Sequence, residues 1–458
     1  MLSIHGLIRA KNPELGRDAD TGGQVTYVLE MGRALAAQEE VSRVYLFTRQ
    51  IYGKNISSDY QQPFEKVCDK FFIVRIPFGP KRYLHKESLW PHLTEFVDNT
   101  LSWLCNKRIV PDIIHGNYAD AGWASVCLSS ILRKPHIFTG HSLGRVKLQG
   151  LLSSGMTYEE AEQKYRISTR IKAEEISLNN AKLVISSTDD EKEKQYSLYN
   201  HYNPSCIRVI APGINLKRFY PSHVVNPKTL PIWKSICRFL IDPQKPIILV
   251  VCRPDYKKNT KAIINVYAKS PRLKEKANLV LFLGVRKDIE KMPKNSKEVL
   301  KEILLEIDKH NLYGKVAYPK DHLQEDIPQI YRMATKSYGV FVHPALEENF
   351  GLTLIEAASC GLPLVATKVG GPFAIVNTCQ NGILVDPLNE EEIERAIWEI
   401  LSDRKKWKQY SENGIRNVHR HYTWESFIKR YLYIIKPLNK NVQIERRFEN
   451  TMLCKKSL

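Results

Sequence analysis

Short apolar runs alternate with helical patterns along most of the chain, and this alternation is the strongest constraint on the fold. The apolar runs lie at residues 43–48, 71–75, 112–115, 136–139, 182–186 and 207–210, then at 246–252, 279–283, 315–317, 339–342 and 364–367. Buried strands that are separated by helices form parallel sheets with helices on both faces. The sequence therefore predicts an α/β chain of two Rossmann-like, doubly wound domains that face a cleft.

The predicted domains join near residues 211–215, where Ala-Pro-Gly-Ile-Asn ends a strand and permits a sharp change of direction. We predict a first domain at 1–213 and a second at 214–437, with a last helix that is able to pack back on the first domain. The basic tail at 438–458 is predicted to be mobile. Residues 1–5 form a very short first strand, for which a misassigned start and an edge position are the two interpretations.

Composition limits the classes of partner. The chain has 458 residues, and its 68 Lys and Arg against 49 Asp and Glu give a net charge of +19. These basic residues are spread along the whole chain without a dense basic block, so we interpret most of the charge as solvated surface, with a few residues recruited to bind phosphate, and we predict no nucleic-acid partner. No apolar stretch is long enough to span a bilayer, so no membrane partner is predicted. Nine Cys without a C-x-x-C pair indicate reduced thiols and a cytoplasmic location.

The segment at 343–356 places two carboxylates, Glu348 and Glu356, on either side of a predicted turn that opens a helix. The N-terminus of a helix offers free N–H groups and a partial positive charge to a diphosphate. One carboxylate could face a sugar, and the other could accept hydrogen bonds from ribose hydroxyls. Because buried strands are predicted on both sides, we interpret the segment as a sugar-nucleotide site rather than a solvated turn.

A second glycine-rich turn lies near the N-terminus. Gly22 and Gly23 open a predicted helix at 22–37, and they allow a phosphate or sugar to approach the backbone closely. Asp18 and Asp20 could suggest a metal-binding pair, but their flanks are polar loop and no further ligands are indicated. We therefore predict no metal site.

Several motifs together resemble the sucrose-phosphate synthases. They are His-Gly-Leu-Ile-Arg at 5–9, Gly-Arg-Asp-Ala-Asp-Thr-Gly-Gly-Gln at 16–24, Arg-Ile-Pro-Phe-Gly-Pro at 75–80, Thr-Gly-His-Ser-Leu-Gly-Arg at 139–145 and Tyr-Pro-Lys at 318–320. The segment at 343–356 resembles the whole class of retaining GT-B glycosyltransferases, to which that family belongs. The matches run from about residue 2 to the mid-370s.

The resemblance implies a donor site in the second domain. Arg253 and Lys258 would neutralise the diphosphate leaving group, because fixed cations stabilise developing negative charge without reorganisation. Glu356 would hold ribose, Glu348 would hold the donor sugar, and residues 317–320 would frame the base. The implied donor-binding residues are Gly22, Gly23, Arg253, Lys258, Glu348, Phe350, Gly351, Leu352 and Glu356.

The resemblance also implies an acceptor site in the first domain. The acceptor-binding residues would be Gly23, Gln24, Lys86, Ser142, Lys147 and Arg170. The three cations in this set come from separate segments, so only the fold could bring them to one phosphate. The implied catalytic residues are His141, Arg253, Lys258 and Glu348.

The implied reaction moves glucose from UDP-glucose to fructose 6-phosphate with retention, giving sucrose 6-phosphate and UDP. No cofactor is required for the chemistry, although Mg²⁺ could stimulate it. The phosphatase-like domain of many relatives is not recognised, so a separate sucrose-phosphate phosphatase is expected to act on the product. Two departures from the family pattern are Asn349, where Pro is usual, and Ser168-Thr169-Arg170, which replaces a more basic run.

Other readings of the sequence stay open. The same fold could belong to a mannosylfructose-phosphate synthase, or to another synthase that uses an ADP- or GDP-sugar. Sucrose synthase would use unphosphorylated fructose, and it normally carries a long N-terminal extension that the chain does not show. A non-catalytic sugar-nucleotide sensor is a further alternative, against which the intact Arg253, Lys258, Glu348 and Glu356 argue.

Overall fold

The computed structural model describes residues 1–14, 17, 20–53, 56–222 and 229–438. Gly16, Asp18 and the tail at 439–458, for which predictions are made above, lie outside the described residues. The chain divides into two compact units. The first unit comprises residues 1–211 together with the chain from Phe427 onward, and the second comprises Pro212–Ser426.

The first unit alternates strands and helices. Its strands are β1 (Val44–Arg49), β2 (Phe64–Cys68), β3 (Phe71–Ile76), β4 (Ile114–Asn117), β5 (His136–Thr139), β6 (Leu183–Ser186) and β7 (Ile207–Val209). Its helices are α1 (Gly23–Ala36), α2 (Leu93–Asn106), α3 (Ala119–Leu132), α4 (Gly144–Ser153), α5 (Tyr158–Tyr165) and α6 (Ile167–Asn180).

The N-terminal segment lies in the middle of the first unit's strands. Leu2 forms parallel bridges to Phe47 in β1 and to Gly116 in β4. Its N–H donates to the carbonyl of His115 at 2.8 Å, and its carbonyl accepts from Asn117 at 3.0 Å. The order is thus β2-β3-β1, the N-terminal segment, then β4-β5-β6-β7. The edge position considered for this segment is wrong, because both of its sides are paired.

The second unit is built from one sheet. Its strands are β8 (Ile247–Cys252), β9 (Asn278–Leu283), β10 (Val316–Ala317), β11 (Val340–His343), β12 (Leu364–Thr367) and β13 (Gly382–Val385). Its helices are α7 (Pro231–Cys237), α8 (Thr260–Lys269), α9 (Pro271–Lys276), α10 (Lys294–Lys309), α11 (Asp326–Lys336), α12 (Leu352–Ser359), α13 (Gly371–Cys379), α14 (Glu390–Ser402) and α15 (Arg404–His421).

The strand order in the second unit is β10-β9-β8-β11-β12-β13, and all neighbours are parallel. The first strand therefore lies in the centre, and the order reverses between β8 and β11 as in dinucleotide-binding domains. Apolar side chains of α8, α10 and α14, including Ile263, Ile303 and Ile397, are buried against this sheet. The predicted pair of Rossmann-like α/β domains is confirmed.

The predicted strands overlap the observed ones to within two residues, and two strands were missed. β2 was missed because its side chains alternate between exposed and partly buried at the antiparallel edge. β13 was missed because only Val385 among its residues is fully buried. Within the described residues, no helix is both long and apolar enough to cross a membrane.

A further helix, α16 (424–438), continues from the second unit into the first. Its Tyr431 hydroxyl lies 2.9 Å from Nδ1 of His115, and Nε2 of the same ring lies 2.9 Å from the Thr139 hydroxyl. The Phe427 ring meets Tyr27 of α1 edge to face. Since Phe427 and Tyr431 are both buried, the helix packs against α1 and β4 of the first unit.

The first unit should lose stability at mildly acidic pH, because burial lowers the pKa of His136 to about 4 and that of His115 well below 6.5. The unfolded chain takes up these protons at higher pH than the folded chain, so stability falls as the pH drops below about 6.5. At pH 5, the shift in the pKa of His136 lowers the free energy of unfolding by about 2 kcal/mol.

His136→Gln should therefore reduce the loss of unfolding free energy between pH 7.5 and pH 5. Urea unfolding at both pH values measures this loss. His419→Gln, at an exposed position, is the matched control and should leave the loss unchanged. Equal pH dependence in the two variants would contradict the account.

Candidate active site

The candidate donor-side residues lie where β8 and β11 end. Ligands of open α/β sheets bind outside the carboxyl ends of strands at the point where the strand order reverses. Arg253 follows β8 directly; it is exposed and makes no hydrogen bond or ion pair with any described residue. Lys258 lies between β8 and α8, and Glu348 lies between β11 and α12. The topology thus brings the predicted cations and one predicted carboxylate to one edge of the sheet.

Glu348 is held by two donors. Its Oε2 accepts from Lys258 Nζ at 2.7 Å and lies 3.0 Å from Nε2 of His343, the last residue of β11. Burial alone would raise the pKa of Glu348, but the hydrogen bond from His343 and the charge of Lys258 outweigh it and hold this pKa far below its ordinary value. Glu348 is therefore an anion at neutral pH. No role was predicted for His343, although its place at a strand end was a usable signal.

Helix α12 begins beside this pair. Its N-cap is Gly351 at φ +96°, and no side chain caps the helix. A non-glycine residue would be strained at this φ, and a Cβ there would lie 2.4 Å from the Leu354 side chain. Phe350 is buried just before it, and Leu352 is the first helical residue. The uncapped N-terminus leaves backbone N–H groups and a partial positive charge at the strand ends.

A second glycine pair supports this loop, and the sequence analysis missed it. Gly370 and Gly371 open α13, and the N–H of Gly371 donates to the carbonyl of Glu348 at 3.1 Å. A Cβ on Gly371 would lie 2.3 Å from the carbonyl oxygen of Phe350, and one on Gly370 would lie 2.3 Å from that of Glu348. Only glycine permits this approach. The Gly-Gly at a helix start, as at Gly22, was the available signal.

The second carboxylate, Glu356, has a different environment. Its Oε2 accepts a hydrogen bond from the Tyr331 hydroxyl at 3.3 Å. Burial raises the pKa of Glu356 to about 7, against the opposing charge of Arg218. Environments that separate two carboxylate pKa values suit the groups to different roles. Glu348 is a fixed anion, whereas Glu356 can both donate and accept hydrogen bonds near neutral pH.

The loop predicted to frame a base follows β10. The guanidinium of Arg286 donates to the carbonyls of Tyr318 at 3.0 Å and Pro319 at 3.1 Å, and its backbone N–H donates to that of Lys320 at 2.8 Å. Arg286 is buried, so it fixes the backbone of this loop from behind. No local sequence pattern pointed to Arg286.

In the first unit, the predicted residues Gly22, Gly23 and Gln24 form the N-terminus of α1. Gly22 is the N-cap without a side-chain cap, and Gly23 is exposed. The Gln24 amide donates to the Ser3 hydroxyl at 3.0 Å, which ties the helix to the N-terminal segment. This helix start lies beside the central segment of the strands, as α12 does in the second unit.

His141 lies just after β5 in a left-handed conformation, at φ +59°. Its Nε2 is 3.0 Å from the side-chain oxygen of Asn117, and its ring meets Tyr27 edge to face at 4.7 Å. Burial lowers the pKa of His141 to about 3. The imidazole is therefore neutral and can offer a hydrogen bond but no charge.

The three cations predicted from separate segments line one pocket. Lys86 follows β3, Lys147 lies in α4 and Arg170 lies in α6. We call this the first-unit pocket, and its lining residues are Lys86, Glu87, Trp90, Tyr118, Asp120, Lys147, Tyr165 and Arg170. The fold thus produces the convergence that the sequence alone could not.

The cations of the first-unit pocket differ in their partners. Lys86 pairs with the buried Asp20 through its ammonium group and also through its backbone N–H at 3.0 Å. Arg170 donates to Glu174 at 3.0 Å and to the Ser142 hydroxyl at 2.9 Å. Ser142 therefore acts on the pocket through Arg170. Ser168, the departure from the family pattern, is exposed and does not line the pocket.

No group of three or more His, Cys, Asp or Glu side chains in the described part of the chain is arranged to hold a metal ion. Asp20, half of the acidic pair considered in the sequence, is bound to Lys86 instead. Asp18 lies outside the described residues.

Comparisons with known proteins show which families the chain is similar to. Residues 1–227 match the family described as "Sucrose synthase first GT-B domain", and residues 232–417 match "Glycosyl transferases group 1". The chain is 42% identical to "Probable sucrose-phosphate synthase 2" of Arabidopsis thaliana over 94% of its length and 46% of the relative. It is 41% identical to "Sucrose-phosphate synthase" of Zea mays with the same coverage. The chain spans about half the length of these curated relatives.

A solved structure aligns over nearly its full length. The sucrose-phosphate synthase of Thermosynechococcus elongatus superimposes with a TM-score of 0.72 and 26% identity, covering 98% of each chain. The fold and the matched families define a GT-B glycosyltransferase. Within that class, the relatives and the solved structure to which the chain is similar are sucrose-phosphate synthases.

Burial of the Glu356 carboxyl group should lower the free energy of unfolding at neutral pH. The folded chain keeps a proton on Glu356 up to a pH of about 7, whereas the unfolded chain loses it near 4.5, so stability falls as the pH rises through this range. Glu356→Gln mimics the neutral acid and should raise the unfolding free energy at pH 8 by on the order of 2 kcal/mol.

The gain from Glu356→Gln should disappear by pH 5, which urea unfolding at both pH values can test. Glu347→Gln is the matched control, since that carboxylate is exposed and pairs with Lys257. A gain that persists at pH 5, or one shared by Glu347→Gln, would count against an ionised buried Glu356.

Proposed function

We propose that the chain transfers glucose from UDP-glucose to fructose 6-phosphate with retention, giving sucrose 6-phosphate and UDP. The observation that carries this proposal is the convergence of Lys86, Lys147 and Arg170 on one pocket, because a phosphorylated acceptor needs clustered cations. The curated relatives named for this reaction support the choice.

The second unit binds the donor. Arg253 has no protein partner among the described residues and is thus available to a diphosphate, while Lys258 already stands beside Glu348. Arg and Lys are complementary here, because one gives a planar fork for two oxygens and the other a mobile point charge. Glu348 binds donor sugar hydroxyls, and Glu356 binds ribose. The loop held by Arg286 meets the base.

The reaction proceeds at the front face of the sugar. The bond between the anomeric carbon and the diphosphate oxygen breaks while the 2-hydroxyl of the acceptor attacks from the same side. The acceptor proton passes to the departing phosphate oxygen, so no carboxylate acts as a nucleophile. Arg253 and Lys258 stabilise the charge on UDP, and neutral His141 contacts the donor sugar.

The surroundings of the reaction follow from its chemistry. The chemistry needs no metal, with Mg²⁺ acting at most as a stimulant, and a separate phosphatase removes the phosphate from the product. Nucleic acid and membrane are not partners. Nine cysteines without a paired motif suit the reducing cytoplasm.

An activity matrix tests the proposed function. Purified protein is incubated with UDP-, ADP- or GDP-glucose or GDP-mannose, each with fructose and with fructose 6-phosphate, and product formation is measured. We expect product from UDP-glucose with fructose 6-phosphate. Product only with GDP-mannose would favour a mannosylfructose-phosphate synthase, product only with free fructose would overturn the acceptor, and no product would favour a sensor.

Arg253→Ala tests the donor assignment. Because Arg253 is exposed and unpaired within the described residues, its loss should leave the fold intact while turnover falls on the order of a hundredfold or more. Arg238→Ala removes the same charge from an exposed position of the second unit and should keep nearly full turnover. Normal activity in Arg253→Ala would sink the donor assignment.

A further inference from the structure

The charges in the first-unit pocket are unevenly balanced. Lys86 is in direct contact with Asp20, and Arg170 is in direct contact with the fully buried Glu174. Lys147 has no carboxylate within hydrogen-bonding distance among the described residues. Its ammonium group instead lies 3.5 Å from the centre of the Tyr165 ring. One cation of the pocket thus lacks a close counter-charge.

Glu87 is the carboxylate nearest to that cation. The same oxygen, Oε1, lies 3.9 Å from Lys147 Nζ and 3.8 Å from Lys86 Nζ. Both separations are too long for good hydrogen bonds, so the carboxylate balances the two lysines loosely. Its side chain is 22% exposed, whereas Asp20 is 1% exposed and Glu174 is fully buried. Glu87 can therefore turn outward to water, and the two buried carboxylates cannot.

We propose that Glu87 is a specificity-determining residue of the first-unit pocket: a built-in counter-anion that balances Lys86 and Lys147 until an acceptor phosphate displaces it. The inference rests on the proposed function, since it assumes that the pocket receives a phosphate. A phosphate carries nearly two negative charges, so it repels a carboxylate that stays beside the same lysines. Displacement of Glu87 makes the pocket selective for a phosphate, because an anion that binds the lysines weakly cannot offset the loss of the Glu87 contacts.

The other groups of the pocket agree with this role. Burial and the charges of Arg170 and Lys86 lower the pKa of Lys147 to about 7, against the opposing charge of Glu87. Asp120 pairs with His5 at 2.8 Å and is not available to the lysines. Among the described residues, Glu87 is thus the carboxylate that partly balances Lys147 and favours its charged form.

Glu87→Gln tests the inference with inorganic phosphate as the probe. Isothermal titration calorimetry should give a dissociation constant for phosphate on the order of tenfold lower in this variant than in the wild type, because a like charge near the lysines is removed. Glu159→Gln makes the same change in net charge at an exposed residue of α5 and should not alter the dissociation constant. Adding Lys147→Met to Glu87→Gln should abolish the gain.

Two results would overturn the role of Glu87. One is phosphate binding by Glu87→Gln that is no tighter than binding by Glu159→Gln. The other is a gain that survives Lys147→Met, which would place the bound phosphate elsewhere. Because the titration needs no turnover, it separates this inference from the proposed function. Tighter phosphate binding by Glu87→Gln, together with no product in the activity matrix, would refute only the proposed reaction. Turnover in the matrix without tighter phosphate binding by Glu87→Gln would refute only the role of Glu87.

Discussion

The central position of the first strand in each unit is the constraint on which the rest of the structure depends. In the second unit the chain moves outward from β8 to β10 and then returns to begin again at β11. The connections after β8 and β11 consequently leave in opposite directions, so the carboxyl ends of these strands stay uncovered. Arg253, Lys258 and Glu348 reach the same edge for this reason. The N-terminal segment, between β1 and β4, has the same place in the first unit.

The two units differ in how their candidate site cations are paired with carboxylates. In the second unit, Lys258 and Glu348 compensate each other, and Arg253 has no partner among the described residues, which leaves capacity for an incoming anion. In the first unit, Arg170 and Lys86 are fixed by carboxylates that water hardly reaches. Fixed cations of this kind stabilise charge with little rearrangement. The cost is burial of charged groups, which is tolerable because each group has a bonded counter-charge.

The strands could be predicted from the sequence where their side chains are completely buried. β9, with six fully buried residues, was predicted closely, whereas β2 alternates in exposure at a sheet edge and gave no apolar run. The two carboxylates at the helix start in 343–356 predicted a sugar-nucleotide site by themselves, whereas the other site residues were predicted only through motifs that resemble a family. Contacts between distant segments have no local signal, so Arg286 behind its loop and Glu87 between two lysines could be recognised only in three dimensions.

The central claim is that the carboxyl ends of β8 and β11 hold a nucleoside diphosphate. A crystal structure of the protein with UDP tests it most directly. The account predicts diphosphate oxygens within hydrogen-bonding distance of the Arg253 guanidinium and the Lys258 ammonium group, and ribose hydroxyls on Glu356. UDP bound away from these strand ends, or bound with its diphosphate out of reach of both cations, would contradict the account.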